Sequence, residues 1–127
     1  MDDRPVKPDR VRKSVGAEDT FQKDIHRLDE AIAGLAPLIE KVWRYCEASS
    51  IRGRTVTVKI KYADFRQATR SRSTHLPIDS IGEVEDICEA ILASEFPVEK
   101  GVRLLGVTLS SLVRTEDNGA VQISFDL

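Results

Sequence analysis

Between Arg52 and His75 the chain carries seven basic residues, Arg52, Arg54, Lys59, Lys61, Arg66, Arg70 and Arg72, against one acid, Asp64. Cations at that density attract polyanions, because each neutralised phosphate releases condensed counterions. The segment also alternates. Thr55, Thr57, Lys59 and Lys61 interleave with Val56, Val58, Ile60 and Tyr62, which puts hydroxyls and ammonium groups on one side of a strand and apolar groups on the other. The formal net charge of −2 argues by itself against a nucleic-acid partner. The charge is segregated, however: residues 1–75 hold 16 Lys/Arg and 11 Asp/Glu (net +5), whereas residues 76–127 hold 3 and 10 (net −7). A local patch decides what binds, not the average.

Other residue types offer little for catalysis. His26 and His75 stand apart, with no Cys, Asp or Glu at metal-ligand spacing. The two cysteines, Cys46 and Cys88, have no CxxC spacing and fall on apolar helical stripes, so packing is their expected role. No phosphate-binding glycine loop, dinucleotide fingerprint or nucleophile elbow occurs. The longest apolar run is far shorter than a membrane span, and the start Met1-Asp2-Asp3-Arg4-Pro5 has no signal-peptide core. The expectation is a reduced, cytoplasmic protein with no membrane partner and no cofactor of its own. With 127 residues, 41% of them hydrophobic, the chain is sized for one domain with a genuine core.

These residues need elements to position them. Residues 1–12, rich in proline and charge, read as a linker. Lys13–Phe21 alternates and reads as a half-buried strand. From Asp24 the period becomes 3.6: Ile25, Leu28, Ile32, Leu35, Ile39, Val42 and Cys46 define an amphipathic helix to about Ser49, with a kink or break expected at Pro37. Arg54–Tyr62 is a strand, Ala63-Asp64 a tight turn, and Phe65 to about His75 its hairpin partner. Ser80, three residues before Glu83, forms a capping box for a helix that buries Val84, Ile87, Ile91 and Leu92 and stops before Pro97. Val102–Val113 reads as the last strand, Thr115–Gly119 as a polar turn, and the remainder as an apolar tail. The order βαββαβ predicts an α+β fold: a four-stranded, mainly antiparallel sheet with both helices on one face.

The uncovered sheet face then matters. On this reading it collects Ser14, Gly16, Glu18 and Thr20; Thr55, Thr57, Lys59 and Lys61; Arg66, Arg70, Arg72 and Thr74; and Leu104, Gly106, Thr108 and Ser110. Small residues leave backbone amides accessible and Lys/Arg neutralise phosphates, while the lack of aromatics argues against base stacking. Such a face suits a duplex backbone contacted without sequence reading. Alternatively, it is an ordinary solvated surface.

Three segments carry a family resemblance. Arg12-Lys13-Ser14-Val15-Gly16-Ala17-Glu18-Asp19-Thr20-Phe21, the hairpin from Val58 to Ser71, and Gly101-Val102-Arg103-Leu104-Leu105-Gly106-Val107 resemble, in order, strands of the little finger domain of Y-family translesion DNA polymerases, in the bacterial DNA polymerase IV branch. The resemblance implies a reversed ferredoxin-like sheet, order 1-4-2-3, lying in the DNA major groove and tethered to a palm, fingers and thumb core. By position it implies small-residue or amide contacts from Ser14, Gly16, Leu104, Gly106 and Thr108, and phosphate neutralisation by Lys13, Lys59, Lys61, Arg70, Arg72 and Arg103. Leu104 departs from the pattern, standing where some members carry an arginine near the base. The implied division is a tether over 1–12, a little finger domain over 13–114 and a tail over 115–127.

The carboxylates that hold Mg²⁺ for phosphoryl transfer belong, by the same resemblance, to the palm, so this chain alone is expected to lack polymerase activity. The end of the chain, Gln122, Ile123, Ser124, Phe125, Asp126 and Leu127, resembles the sliding-clamp-binding peptide of these polymerases, with a rim glutamine and apolar anchors. An edge strand packing Ile123 and Phe125 onto the domain is the alternative, and the Asn-Gly turn before it favours a free tail from about Gly119. The implied partners are primer–template DNA, the clamp and the polymerase core. The competing class is a ferredoxin-like regulatory or protein-interaction module with no nucleic-acid role.

Overall fold

The computed structural model describes residues 13–115 and the backbone of residues 121–122; the linker residues 1–12 lie outside the described residues. In chain order the elements are β1 (Ser14–Ile25), α1 (Leu28–Ser49), β2 (Ile51–Arg52), β3 (Thr55–Tyr62), β4 (Gln67–Ser73), α2 (Ile81–Glu95), β5 (Val102–Ser110), β6 (Val113–Thr115) and β7 (Val121–Gln122). The main sheet runs β1-β5-β3-β4, with every neighbouring pair antiparallel. The long strands thus adopt the expected 1-4-2-3 order in an α+β fold.

Both helices cover one side of this sheet. Helix α1 packs on β1 and β5, α2 on β3 and β4, and the helices pack on each other. Between them and the sheet lie Val56, Val58, Ile60, Leu105, Val107 and Leu109, all at most 1% exposed, facing Leu35, Ile39, Val42, Val84, Ile91 and Leu92. Burying one such side chain contributes about 1.5–3 kcal/mol, so this layer dominates stability. The start of α2 shows the serine half of the expected box: the Ser80 hydroxyl accepts from the Glu83 amide at 3.2 Å. Helix α1 has no side-chain cap at Arg27, but Asp29 and Glu30 complement the dipole in its first turn.

Four expectations are corrected. β1 continues to Ile25, which pairs with Val102 and is buried, so α1 begins at Leu28 rather than near Asp24. Pro37 lies within α1 without dividing it, which overturns the break but not the kink. The last long strand ends at Ser110. Ser111 takes a φ of 56°, and Val113–Thr115 leaves the main sheet to pair with Ile51–Arg52 and Val121–Gln122 in a second, three-stranded sheet.

The fourth correction sets the face of β4. Tyr62 N–H donates to Arg66 C=O at 2.8 Å, so the hairpin loop is three residues, Ala63 to Phe65, not the two-residue turn Ala63-Asp64. Phe65 occupies the left-handed region with φ 71°, the position that closes a three-residue loop. One extra loop residue shifts the register by one, and a one-residue shift turns every side chain to the opposite face.

Candidate nucleic-acid interface

Cross-strand register brings most of the candidate residues together on the uncovered face. One row runs Gly16, Thr108, Thr57 and Ser71; the next runs Glu18, Gly106, Lys59 and Thr69; a third runs Thr20, Leu104, Lys61 and Gln67. Ser14 and Ser110 pair at the near end, where Lys13 lies exposed just ahead of β1. Residues 13, 14, 16, 59, 61, 104, 106 and 108 therefore share one side of the sheet, with Leu104 and Gly106 themselves buried in it.

Both glycines on this face lie at close cross-strand approaches, the tighter at Gly16. A Cβ on Gly16 would lie 2.6 Å from the Thr108 hydroxyl oxygen, and one on Gly106 would lie 3.1 Å from Glu18 Cβ. Gly106 also clears a path. The Lys59 ammonium reaches across the central strand to Glu18 Oε1 at 3.2 Å, in the row where Gly106 stands between them. Sequence reasoning missed this ion pair, although the alternation of β1 and β3 had placed both residues on the open face. At 37% and 53% exposure the two side chains stay in water, where such a pair contributes about 0–1 kcal/mol. A phosphate can therefore compete for Lys59. Lys61 has no ion-pair partner among the described residues.

The rest of the face is a hydroxyl ladder. Thr57 and Ser71 share a hydrogen bond at 2.7 Å, and Thr55 bonds to Ser73 and Ser111, both at 2.9 Å. Ser71, Ser73 and Thr69 reach this face because of the three-residue loop.

Arg70 and Arg72 are not on this face. They stand opposite Val58 and Val56, on the helix side of the sheet, and Arg70 pairs with Glu95 of α2 at 3.1 Å. Their expected place beside Lys59 and Lys61, and that of Arg66 and Thr74 by the same parity, depended on the two-residue turn. On the helix side, Glu95 also accepts from the Tyr62 hydroxyl at 3.4 Å; burial and the Glu95 charge push this phenol above its ordinary value. A depression of about 340 Å³ lies there, lined in part by Arg66, Arg70, Glu95 and Lys100.

Arg103 has a different setting. The β3–β5 register jumps from Lys61–Leu104 to Tyr62–Val102, which leaves Arg103 as a bulge without a counterpart. Its guanidinium lies 3.7 Å from Asp24 and stacks over the Phe65 ring, 5.4 Å from the centroid. Phe65 was also missed: it is 69% exposed and left-handed. That conformation costs an L-residue about 1–2 kcal/mol, and an exposed cation–π contact returns only about 0.5–1 kcal/mol. At that exposure the ring itself gains little from burial.

The cysteines take their expected positions in the core. Burial, with Glu85 and Glu89 nearby, pushes the Cys88 thiol up to about 12, and burial likewise raises Cys46. Of the tail candidates, Gln122 forms β7 with Val121, so its backbone pairs with Arg114. The expectation of a free chain from Gly119 does not hold for these two residues. Ile123, Ser124, Phe125, Asp126 and Leu127 lie outside the described residues.

The fold and face together define a class: a βαββαβ domain whose uncovered sheet surface carries cations, hydroxyls and glycines. The chain belongs to the impB/mucB/samB family, with residues 12–125 matching the family's C-terminal domain. It is 57% identical over 117 residues to DNA polymerase IV 2 of Agrobacterium fabrum, covering 92% of this chain and 33% of that protein. It is 54% identical over 127 residues to DNA polymerase IV 3 of Mesorhizobium japonicum, covering 100% of this chain and 35% of that protein. The chain thus spans about a third of the length of these relatives. Its fold is that of the Y-family little finger. A structure described as a complex of the beta-clamp processivity factor and the little finger domain of PolIV matches with TM-score 0.64 at 23% identity, over 90% of this chain and 99% of that one. A Y-family DNA polymerase chimera matches with TM-score 0.71 at 20% identity, over 85% and 30%.

Proposed function

We propose that this chain is the DNA-gripping, clamp-tethering little finger of an error-prone, lesion-bypass DNA polymerase. Catalysis, with its Mg²⁺-binding carboxylates, belongs on this reading to a polymerase core outside the chain. The observation that carries the reading is the register that gathers Lys59, Lys61, Gly16, Gly106 and Thr108 on one uncovered face. Lysines there neutralise phosphates, while the exposed hydroxyls donate to phosphate oxygens, and neither reads sequence. The regulatory-module alternative needs an apolar or pocketed open face, which these residue types do not provide.

The test is a salt titration of duplex binding by fluorescence anisotropy. The chain should bind with a Kd of about 10⁻⁴–10⁻⁶ M at physiological salt, independent of sequence, and weaken with a log–log slope near −0.9 per phosphate contacted. A salt-insensitive or sequence-selective interaction would overturn the reading.

Clamp tethering rests on the end of the chain and on the family's resemblance there. On this reading Ile123, Phe125 and Leu127 are the apolar anchors of the clamp-binding segment. Truncation after Gln122 should abolish binding to a bacterial sliding clamp while moving stability by less than about 0.5 kcal/mol. If Ile123 and Phe125 instead pack as a continued edge strand, truncation lowers stability by about 2–5 kcal/mol and leaves clamp binding unchanged.

A further inference from the structure

We propose that Phe65 is a stacking platform for an unpaired nucleobase, so that the domain prefers DNA carrying a single-stranded tail over blunt duplex. The inference rests on the DNA-binding reading above and extends it from the strands to the hairpin loop.

The ring stands where neither folding nor solubility favours it. Its φ of 71° suits glycine or asparagine, and at 69% exposure a polar side chain would serve the surface better. The loop needs a third residue to set the register of β4, but it does not need a phenyl group. Backbone strain and exposure together at one large apolar residue mark a candidate contact. Arg103 stacks at 5.4 Å from the ring centroid and is held from the other side by Asp24 at 3.7 Å, so the ring has a guanidinium neighbour while most of its surface stays open to water.

The surroundings indicate which ligand fits. The loop is flanked by Lys61 of the open face and by Arg66, and Lys61 pairs with Leu104, the neighbour of Arg103. Against these three cations stand Asp24, near Arg103, and Asp64, paired with Arg66 at 2.9 Å. The local balance is positive, and Lys61 faces the phosphates expected along the sheet. Inside a duplex, both faces of a base are covered by its neighbours; only an unpaired base offers a free π-surface to an aromatic ring, and it does so whatever its sequence. An arginine beside the ring adds a second stacking plane and a phosphate contact.

Anisotropy with the full 127-residue chain separates stacking from charge. Three probes share one duplex: blunt, extended by a thymidine tail, and extended by an abasic tail of equal length and phosphate count. The thymidine tail should raise affinity about tenfold over the abasic tail. Phe65→Trp should keep that ratio, and Phe65→Gly should abolish it while the melting temperature holds or rises and blunt-duplex affinity is unchanged. Equal binding of the two tails by the wild type, with blunt duplex still bound, overturns this inference and leaves the DNA-binding reading standing. A thymidine preference that survives Phe65→Gly also overturns it, as does a Phe65→Gly variant that melts earlier and loses affinity for all three probes equally. Failure to bind any probe overturns both readings.

Discussion

The two faces of β3 are built from opposite kinds of residue. On the helix side Val56, Val58 and Ile60 are fully buried; on the other side Lys59 is 37% exposed, and Thr55, Thr57 and Lys61 are partly open to water. One strand thus separates stability from recognition. Core-side residues are held by volume and by exclusion of water, so they cannot change without cost. The open-side hydroxyls and Lys59 are held by exposed hydrogen bonds and an ion pair, so their types can follow the needs of a ligand. Gly16 is the exception, because a Cβ there would press within 2.6 Å of the Thr108 hydroxyl on the open side.

The largest expected effect sharpens the contrast from the core side. Cys88 is 1% exposed, and its thiol is pushed up from an ordinary 9.0 to about 12, first by burial and then by Glu85 and Glu89. A thiol raised in the folded state contributes stability that is fully present below pH 9.0 and is lost as pH rises toward about 12. Within that window the unfolded chain releases a proton that the folded chain retains. Chemical denaturation of wild type and Cys88→Ala should show the wild type losing about 1.4 kcal/mol more per pH unit. Parallel pH profiles would mean that water reaches the thiol and that the covered face is not sealed.

A smaller effect is expected from the open side. Glu18→Gln removes the carboxylate that competes with phosphate for Lys59. Duplex affinity should rise several-fold at low salt, while stability moves by less than about 0.5 kcal/mol. A drop in affinity would show that Glu18 positions Lys59 for binding rather than competing for it.

Legibility in the sequence follows the same division. The alternation of Thr55–Tyr62 and the Ser80–Glu83 box were readable because a buried face or a cap leaves a pattern of residue types. Strand β4 was not. Gln67–Ser73 has Ala68 as its sole apolar residue, so nothing within it tells one face from the other, and its register was set by the loop before it. Phe65 looked like a strand residue because aromatics favour strands; instead it closed the loop, and Arg70 and Arg72 turned to the helix side. The end of β1 was lost for a related reason. Ile25 fits a helical period as well as a strand, and its pairing with Val102 is a long-range contact that no local pattern records. Arg103 was named, but its bulge and its place over Phe65 depend on three segments meeting.

The central claim is that the uncovered sheet face, and not basic charge in general, binds DNA. Two double variants remove equal charge from opposite sides of one hairpin: Lys59→Ala with Lys61→Ala on the open face, and Arg70→Ala with Arg72→Ala on the helix face. Salt titrations of duplex binding on both proteins give the direct comparison. The lysine pair should flatten the log–log slope by about 1–2 units, and the arginine pair should leave it at the wild-type value. Equal flattening by both pairs, or a larger effect from the arginines, would contradict the account.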